Sequence, residues 1–427
     1  MCPVLARNLL SRLPPWQRDL VESAIVLGKR RGVSVYLVGG LLRDLLLGVT
    51  SSDLDLTVEG NAVAYVEALS AELRGRVTIH PQFGTATVIL RDGHRLDVAT
   101  ARRELYAHPA ALPQVSPGTI EEDLSRRDFT INAMAIRLTP GAGELLDPFG
   151  GLRDLERGLL QTLHEGSYRD DPTRILRGAR YAARYRLRFS QRDRRLIQKV
   201  LAERVLERLS GDRLFQELRL LLDEPMPEAA LGVLQDVGVL RALDPALVLD
   251  ARGVAGIRRV RRAWERCHRL GIPREALLWR IYLLVLLLSV PARVRRRVGQ
   301  HLGVKGPLLV SLMKELKTLP LLQAKLEGEG LRPIRLRHLL DRASGELLIL
   351  LWASDRRLVG RRVEHYLTPL ASVRPALTGK DLRSLGIPPG PTYRRILDLL
   401  LEGRLEGRLR SREEEIAFVR QRFAQRH

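Results

Sequence analysis

The chain has 427 residues, 45% of them hydrophobic and 5% aromatic, so it is long enough for two to four folded domains. Its formal net charge of +22 predicts a polyanionic partner, most simply a nucleic acid, although a generically basic soluble protein would carry the same sign. Arginine outnumbers lysine by 64 to 7, which suits phosphate binding and is equally typical of a GC-rich genome.

Cys2 and Cys267 are the only cysteines, which excludes a disulfide framework and a cysteine-based metal cluster. The most apolar run, Ile281–Val290, is too short to cross a bilayer and predicts a buried helix. The first residues do not have the charged-then-apolar pattern of a signal peptide. We therefore expect a cytoplasmic protein with no membrane partner.

The first predicted strand is the apolar, β-branched run Val33–Val38, which leads into Gly39 and Gly40. Two glycines let the backbone turn tightly and approach a ligand closely. A short helix follows and ends at Gly48. Backbone N–H groups at such a junction form an anion site, and Arg43 lies one turn into the helix.

Two aspartates, Asp53 and Asp55, follow this turn in the sequence Asp-Leu-Asp-Leu-Thr-Val. On a strand they point to the same face, where two carboxylates beside a phosphate site can hold Mg²⁺ against a nucleoside triphosphate. An isolated pair would instead be solvated acids at a strand end. The ordered set of strand, Gly-Gly, Arg-Asp and Asp-x-Asp favours the metal site, and it resembles the nucleotidyltransferase signature of the polymerase β type.

A third acid, Asp97, lies on the second of two short strand-like runs, Thr85–Leu90 and His94–Thr100. Asp92-Gly93 between them is a hairpin signal. The hairpin would bring Asp97 beside Asp53 and Asp55, although an ordinary strand acid fits the local pattern equally. Three carboxylates holding two metal ions would activate an attacking hydroxyl and neutralise a leaving pyrophosphate.

A Pro-rich loop, His108–Gly118, precedes the run from Glu121 to Asn132, which contains Arg126-Arg127-Asp128. The two arginines either bind phosphate or form salt bridges with neighbours on a solvated helix face. The following Asp147-Pro-Phe-Gly-Gly segment predicts a turn and a helix start, linking this part of the chain to the region after residue 150.

The next helix is predicted to begin at Asp170-Asp171-Pro172, with an aspartate as its cap and proline in its first turn. From Asp171 on, charged residues recur three apart and so neighbour one another on the helix surface: Asp171, Arg174, Arg177 and Arg180. A capped, basic, exposed helix has the same pattern. Alternatively, a carboxylate beside a guanidinium can match the Watson–Crick edge of a base, as a templating base would.

Strand signals nearly vanish after about residue 150, and Leu- and Arg-rich stretches recur at helical spacing. Candidate boundaries are residues 223–227, 290–291 and 328–333. Residues 251–300 contain thirteen arginines and two acidic residues. We predict a head of strands and helices followed by an all-helical body.

These motifs together resemble the class II tRNA nucleotidyltransferases, which are the CCA-adding enzymes and their relatives, the bacterial poly(A) polymerases. The match covers about residues 30–220, and two later runs, 207–218 and 377–391, resemble the family's last shared motif and its C-terminal tRNA-contacting region. The resemblance implies an α+β fold, with a polymerase-β-like head of mixed or antiparallel sheet and helices. It implies a head over residues 1–150, a helical neck over 151–225, an RNA-binding body over 226–340 and a tRNA-binding tail over 341–427.

The resemblance also implies a role for each matching residue. Asp53 and Asp55 would hold Mg²⁺, and Asp97 would be the third catalytic carboxylate. The nucleotide's phosphates would contact Gly39, Gly40, Arg43 and Arg127. Asp171 and Arg174 would read the base of CTP or ATP, and Arg177 and Arg180 would complete the nucleotide site. The family usually has Glu at the position of Asp170, where the shorter acid would still cap the helix.

The implied activity is addition of C, A or both to the tRNA 3′ end from CTP and ATP without a nucleic-acid template, releasing pyrophosphate. Poly(A) tailing of general RNA is the alternative enzyme function, and a catalytically inactive RNA-binding protein is a distant third. In this family the choice of nucleotide is attributed to the segment between Arg102 and Arg126, whose sequence here does not distinguish addition of CCA, CC or A.

Overall fold

The computed structural model describes residues 3–51, 53–80, 84–141, 143–272 and 275–423. Cys2, one of the two cysteines, lies outside these ranges, and Cys267 is buried, with its thiol donating to the Ile272 carbonyl at 3.4 Å. The chain divides into two compact units, Met1–Pro245 and Ala246–His427. The finer divisions at residues 150, 225 and 340 remain predictions.

The first unit contains the strands of the fold, which are β1 (Ser34–Val38), β2 (Asp55–Glu59), β3 (Arg76–His80), β4 (Thr85–Ile89), β5 (Arg95–Thr100), β6 (Arg102–Leu105), β7 (Gln114–Pro117), β8 (Ala135–Thr139), β9 (Glu144–Leu146), β10 (Leu159–Leu160) and β11 (Arg188–Phe189). Its helices are α1 (Pro3–Ser11), α2 (Pro15–Arg31), α3 (Gly40–Leu46), α4 (Ala62–Leu73), α5 (Ile120–Ser125), α6 (Gly151–Glu156), α7 (Ser167–Asp170), α8 (Thr173–Tyr185), α9 (Gln191–Ala202), α10 (Gly211–Leu222), α11 (Pro227–Asp236) and α12 (Val239–Leu243).

Seven strands form one mixed sheet in the order β3-β4-β5-β2-β1-β8-β9. All neighbours are antiparallel except β2 and β5, which are parallel. Parallel neighbours need a crossover, which α4, β3 and β4 supply. The predicted fold class, a mixed sheet with helices followed by an all-helical region, is confirmed.

The two faces of this sheet differ in what they bury. Alternate residues of the central strands, such as Leu56, Val58 and Val98, pack with α2 and α4 in the main apolar core. Because strand side chains alternate, Asp55 and Asp97 lie on the opposite face. β1 ends at Val38 and the antiparallel β2 begins at Asp55, so these two strand termini lie at the same end of the sheet, where Asp97 of β5 is the register partner of Asp55.

The Pro-rich segment His108–Gly118, expected to be a loop, contains strand β7, whose partner β6 precedes it in the chain. β6 and β7 pair antiparallel, from Arg102 opposite Pro117 to Leu105 opposite Gln114. Residues 106–113 connect them, and we call this connection the hairpin loop. Alternation is weak here because the strands have only four residues each, which is why the sequence pattern did not reveal them.

Side-chain caps set several helix starts. Asn61, Ser190 and Ser210 each accept a hydrogen bond from a backbone N–H in the first turn of α4, α9 and α10, respectively. Thr119 and Glu122 form a capping box at α5. These caps fix the residues at which α4, α5, α9 and α10 begin.

The second unit is helical in its described residues. Its helices are α13 (Ala251–Arg269), α14 (Leu278–Leu288), α15 (Arg295–His301), α16 (Gly306–Glu327), α17 (Pro333–Leu340), α18 (Gly345–Trp352), α19 (Arg357–Leu367), α20 (Gly379–Ser384), α21 (Pro391–Leu405) and α22 (Arg412–Phe423). The apolar run predicted to be a buried helix is α14, whose residues 281–287 are buried. Across the described ranges, every helix is too short or too polar to cross a membrane.

Candidate active site

A cavity of about 610 Å³ in the first unit collects most of the residues singled out in the sequence. Nine arginines and five carboxylates line it. The cavity wall therefore carries charges of both signs, with an excess of positive charge. The lining residues are Gly39, Gly40, Arg43, Asp53, Asp55, Arg102, Glu104, Tyr106, Pro113, Arg126, Arg127, Asp128, Asn132, Asp171, Arg174, Arg177, Arg180, Tyr181, Arg184 and Arg213.

The glycine turn at the end of β1 forms part of the cavity wall. Gly39 has φ +81°, a conformation that side chains disfavour. A Cβ atom there would lie 3.2 Å from Nη1 of Arg127 and 3.5 Å from Oδ2 of Asp55. The turn therefore approaches both a cationic and an anionic group closely, and only glycine leaves that space open.

Asp53 and Asp55 both line the cavity. β2 begins at Asp55, so Asp53 lies just before the strand, and strand alternation does not explain their common direction. Burial raises the pKa of Asp55 to about 6, with the charges of Asp97 and Asp53 adding to the effect and Arg127 opposing it. Because these carboxylates are crowded together and repel one another, the site lacks positive charge to balance them.

Asp97 is the register partner of Asp55 in the parallel pair β2–β5. Its carboxylate accepts hydrogen bonds from Thr87 and Arg95, and Asp97 is not among the residues that line the cavity. Over the described ranges, no three His, Cys, Asp or Glu side chains are spaced as a ready-made metal site. Mg²⁺ usually binds one or two carboxylates together with substrate phosphates and water, and the pair Asp53 and Asp55 fits that requirement.

Arg43 is 5% exposed, and most of its donors are already used. Its guanidinium donates to Asn132 at 2.6 Å, to Asp44 at 2.8 Å and to the Tyr185 hydroxyl at 2.6 Å. It also lies over the ring of Tyr185, 4.3 Å from the ring centroid. Arg43 lines the cavity, but its contacts tie α3 to α8, a use that the sequence did not indicate.

Arg126 and Arg127 share one buried acid. Asp123 is 0% exposed and accepts from Arg126 at 2.7 Å and from Arg127 at 2.9 Å. These two cations lower the pKa of Asp123 although its burial acts in the other direction. The solvated helix face is thus wrong for these arginines, since both are ion-paired and both line the cavity.

Asp128 is a second buried acid, paired with Arg177 of α8 at 2.9 Å. It also accepts from the Phe129 N–H and the Asn132 amide, both at 2.9 Å. The charge of Arg177 and these hydrogen bonds lower the pKa of Asp128 despite its burial, and the same pair raises the pKa of Arg177. This pair joins the segment after α5 to the cavity face of α8.

The predicted base-reading residues lie together at the start of α8. The Asp171 carboxylate accepts from the N–H and hydroxyl of Thr173, the first residue of α8, at 3.1 and 2.6 Å. The residue at the cap position is Pro172, so Asp171 satisfies the first helical N–H from just outside the helix. Arg174 is 4% exposed and donates to the Ser167 hydroxyl and the Arg126 carbonyl. Asp170, the departure from the family pattern, ends α7 and is not among the cavity-lining residues.

Arg180 and Arg184, further along α8, share the buried acid Glu224. Arg180 donates to Glu224 at 3.1 Å and to Glu217 at 3.4 Å, and Arg184 donates to Glu224 at 2.6 Å. Both arginines still line the cavity. The helix therefore presents a row of guanidinium groups that are fixed from behind by carboxylates.

Sequence reasoning missed several lining residues, chiefly Glu104, Tyr106, Tyr181, Arg184 and Arg213. Arg184 continues the spacing of three or four residues from Arg177 and Arg180, so the helical period could have found it. Arg213 lies within the run 207–218 that resembles the family's last shared motif. Glu104 and Tyr106 lie at the hairpin, where no periodic pattern marks them.

Comparison with known proteins finds a matching family model and several similar enzymes. The model of the Poly A polymerase head domain matches residues 35–161. The A-adding tRNA nucleotidyltransferase of Halalkalibacterium halodurans is 33% identical, over 92% of this chain and 89% of the relative. The CC-adding tRNA nucleotidyltransferase of Deinococcus radiodurans is 34% identical, over 92% of this chain and 91% of the relative.

The chain belongs to the tRNA nucleotidyltransferase family. The A-adding member of Geobacter sulfurreducens is 35% identical over 91% of this chain, but the match spans only 45% of that longer relative.

Solved structures of this family have the same fold over nearly the whole chain. An apo CCA-adding enzyme is 32% identical with a TM-score of 0.82, covering 97% of this chain and 98% of that one. The Thermotoga maritima CCA-adding enzyme, solved with tRNA, is 30% identical with a TM-score of 0.76, and the match covers 97% of each chain.

The pair Asp128–Arg177 can be tested through stability. We expect Asp128→Asn to lower the free energy of unfolding by about 2–4 kcal/mol at pH 7, because it leaves the Arg177 cation without its buried partner. The pKa of Asp128 lies below its ordinary value of 3.8, so the difference from wild type should be full above that pH and shrink as the pH falls further. Urea unfolding at several pH values measures both effects.

Glu121→Gln is the matched control, because it removes an exposed carboxylate near the start of α5. We expect it to leave the free energy of unfolding within about 0.5 kcal/mol of wild type. A loss for Asp128→Asn no larger than this control would contradict a stabilising role for the buried pair.

Proposed function

We propose that this chain adds C, A or both to the 3′ end of tRNA, using CTP or ATP and no nucleic-acid template, and that it works in the cytoplasm. The single observation that carries the proposal is the cavity that joins the paired aspartates Asp53 and Asp55 to the base-reading pair Asp171 and Arg174. Family membership supports it, as do solved relatives described as CCA-adding enzyme complexes with CTP and with ATP, which are 30% and 29% identical.

In this proposal the chain's own residues bind and orient the reactants. The open glycine turn at Gly39 and Gly40 and the guanidinium of Arg127 receive the triphosphate. Arg177 and Arg180, held by their carboxylate partners, add positive charge along the same wall. The terminal hydroxyl of the RNA attacks the α-phosphorus in line, and pyrophosphate leaves.

Base choice is assigned to Asp171 and Arg174. Cytosine N4 and adenine N6 are amino groups that donate to a carboxylate, whereas uracil and guanine carry a carbonyl oxygen, O4 or O6, at the corresponding position of the pairing edge. The buried guanidinium of Arg174 supplies donors beside that acceptor. A wrong base would leave these groups unpaired, and unpaired buried groups discriminate strongly.

Mg²⁺ is the proposed cofactor, with Asp53 and Asp55 as its protein ligands and Asp97 as a supporting carboxylate on the adjoining strand. When bound, a divalent cation supplies activation of the attacking hydroxyl and neutralises charge on the leaving phosphates. The raised pKa of Asp55 supports this assignment, because a site that disfavours its own negative charge is completed by a cation.

We propose that the second unit contacts the RNA backbone. One of its cavities, about 500 Å³, lies between α17 and α21 and is lined by five basic residues, Arg332, Arg335, His338, Arg394 and Arg395. Arg332 is committed to Glu402 and Glu406. The other arginines are placed to neutralise phosphates, which gives salt-dependent affinity.

Poly(A) tailing of general RNA is the alternative enzyme function, supported by the family model that matches the head. It would use the same aspartates and the same cavity, so the geometry of the site does not separate the two. A catalytically inactive RNA-binding protein is a weaker alternative. A protein without catalytic activity would not need Asp53 beside Asp55, whose pKa is raised in part by this crowding.

Replacing Asp53 and Asp55 with Ala should lower nucleotide incorporation by roughly a thousandfold or more, because the charge that organises the triphosphate is lost. Binding of tRNA should stay near wild type, since these residues are not the phosphate-neutralising ones. A gel assay with tRNAs ending before C, after CC and complete, with each nucleotide offered singly, measures incorporation and shows which residues are added. Glu67→Ala, an exposed acid on α4, is the control. Incorporation by the double variant at the control's rate would refute the proposed chemistry.

Mg²⁺ should stabilise the protein even without RNA. After treatment with EDTA, added Mg²⁺ and CTP or ATP together should raise the thermal midpoint, corresponding to about 2.7 kcal/mol at a hundredfold excess over Kd. The shift should be much smaller in the Asp53→Ala, Asp55→Ala variant, whereas Glu67→Ala should respond like wild type. Equal shifts in all three proteins would show that these aspartates do not hold the ion.

The two enzyme functions separate when ATP alone is offered with an unstructured RNA. A tRNA nucleotidyltransferase should add at most a few residues to it and should prefer tRNA lacking its 3′ end. Long A tails on the unstructured RNA, with no preference for tRNA, would favour poly(A) polymerase activity over our proposal.

A further inference from the structure

Arg213 is a cavity residue outside the metal-binding, phosphate-binding and base-reading sets. It lies in the first turn of α10, after the Ser210 cap, and its side chain is 25% exposed. Its guanidinium donates to two different segments, to Oδ1 of Asp171 at 2.9 Å and to the carbonyl of Ala110 at 2.8 Å. One side chain therefore joins α10, the start of α8 and the hairpin loop.

The contacts on Asp171 are strongly unequal between its two oxygens. Oδ1 accepts three hydrogen bonds, from the Thr173 N–H, the Thr173 hydroxyl and Arg213. No donor of the described residues is hydrogen-bonded to Oδ2. Because the Asp171 side chain is only 16% exposed and lines the cavity, its second oxygen is held as an acceptor with restricted freedom.

The other end of Arg213 holds a strained piece of backbone. Ala110 has φ +63°, a left-handed conformation that is unfavourable for a residue with a Cβ. Its carbonyl accepts from Arg213, and its N–H donates to the Arg169 carbonyl at 3.1 Å. Such strain persists only where the surroundings fix it, so Arg213 is anchored at a rigid point of the hairpin loop and not at a freely moving one.

We propose that Arg213 is a positioning residue for nucleotide selection, which orients the Asp171 carboxylate so that Oδ2 faces the amino group of an incoming cytosine or adenine. The proposal rests on the proposed function. Both Thr173 contacts come from a residue two positions along the chain, whereas Arg213 ties the same oxygen to a different helix, α10. A fixed acceptor rejects the carbonyl of uracil or guanine more strongly than a mobile one, because a mobile one can move away from the mismatch.

The test is nucleotide binding by the full chain, measured as Kd for CTP, ATP, UTP and GTP in Mg²⁺. Arg213→Met keeps an unbranched stem of similar length to the arginine's aliphatic part and removes the guanidinium with all its donors. We expect the preference for the better-bound of CTP and ATP over UTP and GTP to fall roughly tenfold, in line with the loss of one well-oriented hydrogen-bonded contact. Arg213→Lys keeps the charge but can reach only one of the two acceptors, and it should recover part of the preference.

Two further variants separate orientation from structural support. Arg219→Met removes an exposed arginine from the same helix and should leave all four affinities unchanged. In an Asp171→Ala background, adding Arg213→Met should cost no further preference, since a residue that acts through Asp171 has nothing left to orient. If Arg213→Met folds poorly by its thermal midpoint, Arg213→Lys decides the question, tested alone and in the Asp171→Ala background.

An equal loss of affinity for all four nucleotides, with unchanged ratios, would overturn the proposal and make Arg213 a structural residue only. So would an undiminished preference in Arg213→Met or Arg213→Lys. If instead the wild-type protein has no preference for CTP or ATP over UTP and GTP, the proposed function itself fails. The two failures are therefore distinguishable from the same set of measurements.

Discussion

A largely buried chain of polar contacts links α3, which follows the glycine turn at the end of β1, to helix α8. Arg43 donates to Asn132, Asn132 donates to Asp128, and Asp128 is paired with Arg177. Arg43 also reaches Tyr185 at the far end of α8. Buried charges are costly unless every member is satisfied, so this chain stabilises the fold only when it is complete. The distance from the glycine turn to the reading face of α8 is therefore fixed by directional bonds.

The same arrangement recurs around the cavity, where arginines are backed by buried acids. Asp123 holds Arg126 and Arg127, and Glu224 holds Arg180 and Arg184. Each acid holds two guanidinium groups in place but neutralises only one of their two positive charges. The cavity wall therefore keeps an excess of positive charge. Side chains that are already ordered lose little entropy when a polyanion binds. Such a wall suits a triphosphate better than a larger number of free arginines would.

The local part of this design could be predicted from the sequence. A strand, two glycines and a short helix are a nearest-neighbour pattern, and the structure has β1, a turn at Gly39 with positive φ, and α3 in that order. The hairpin signal at Asp92-Gly93 was enough to expect Asp97 on a strand near Asp55, and their strands are paired in parallel. Patterns that repeat within a few residues carry this information directly.

The partners of the arginines could not be predicted in this way. The place of Arg43 one helical turn after the two glycines indicates a phosphate contact, but its partners lie 89 and 142 residues away along the chain. Periodicity does not record which distant acid faces a given guanidinium. For the same reason the pattern does not reveal Arg213, since its link to Asp171 spans 42 residues and crosses two helices. Long-range pairs of this kind determine how the site is held, while the short motifs determine only which residues are in it.

Selection of a nucleotide without a template requires that a few protein groups replace a base. A templating base is rigid because its ring holds donors and acceptors in one plane, and single side chains lack that property. Here Arg174 is fixed by Ser167 and the Arg126 carbonyl, and Asp171 is fixed through Thr173 and Arg213. Each reader is thus held in place by hydrogen bonds to neighbouring residues, two of which, Arg126 and Arg213, also line the cavity. The rigidity that a base has covalently is supplied in this protein by hydrogen bonds, and discrimination between bases depends on those supporting bonds as much as on the two readers.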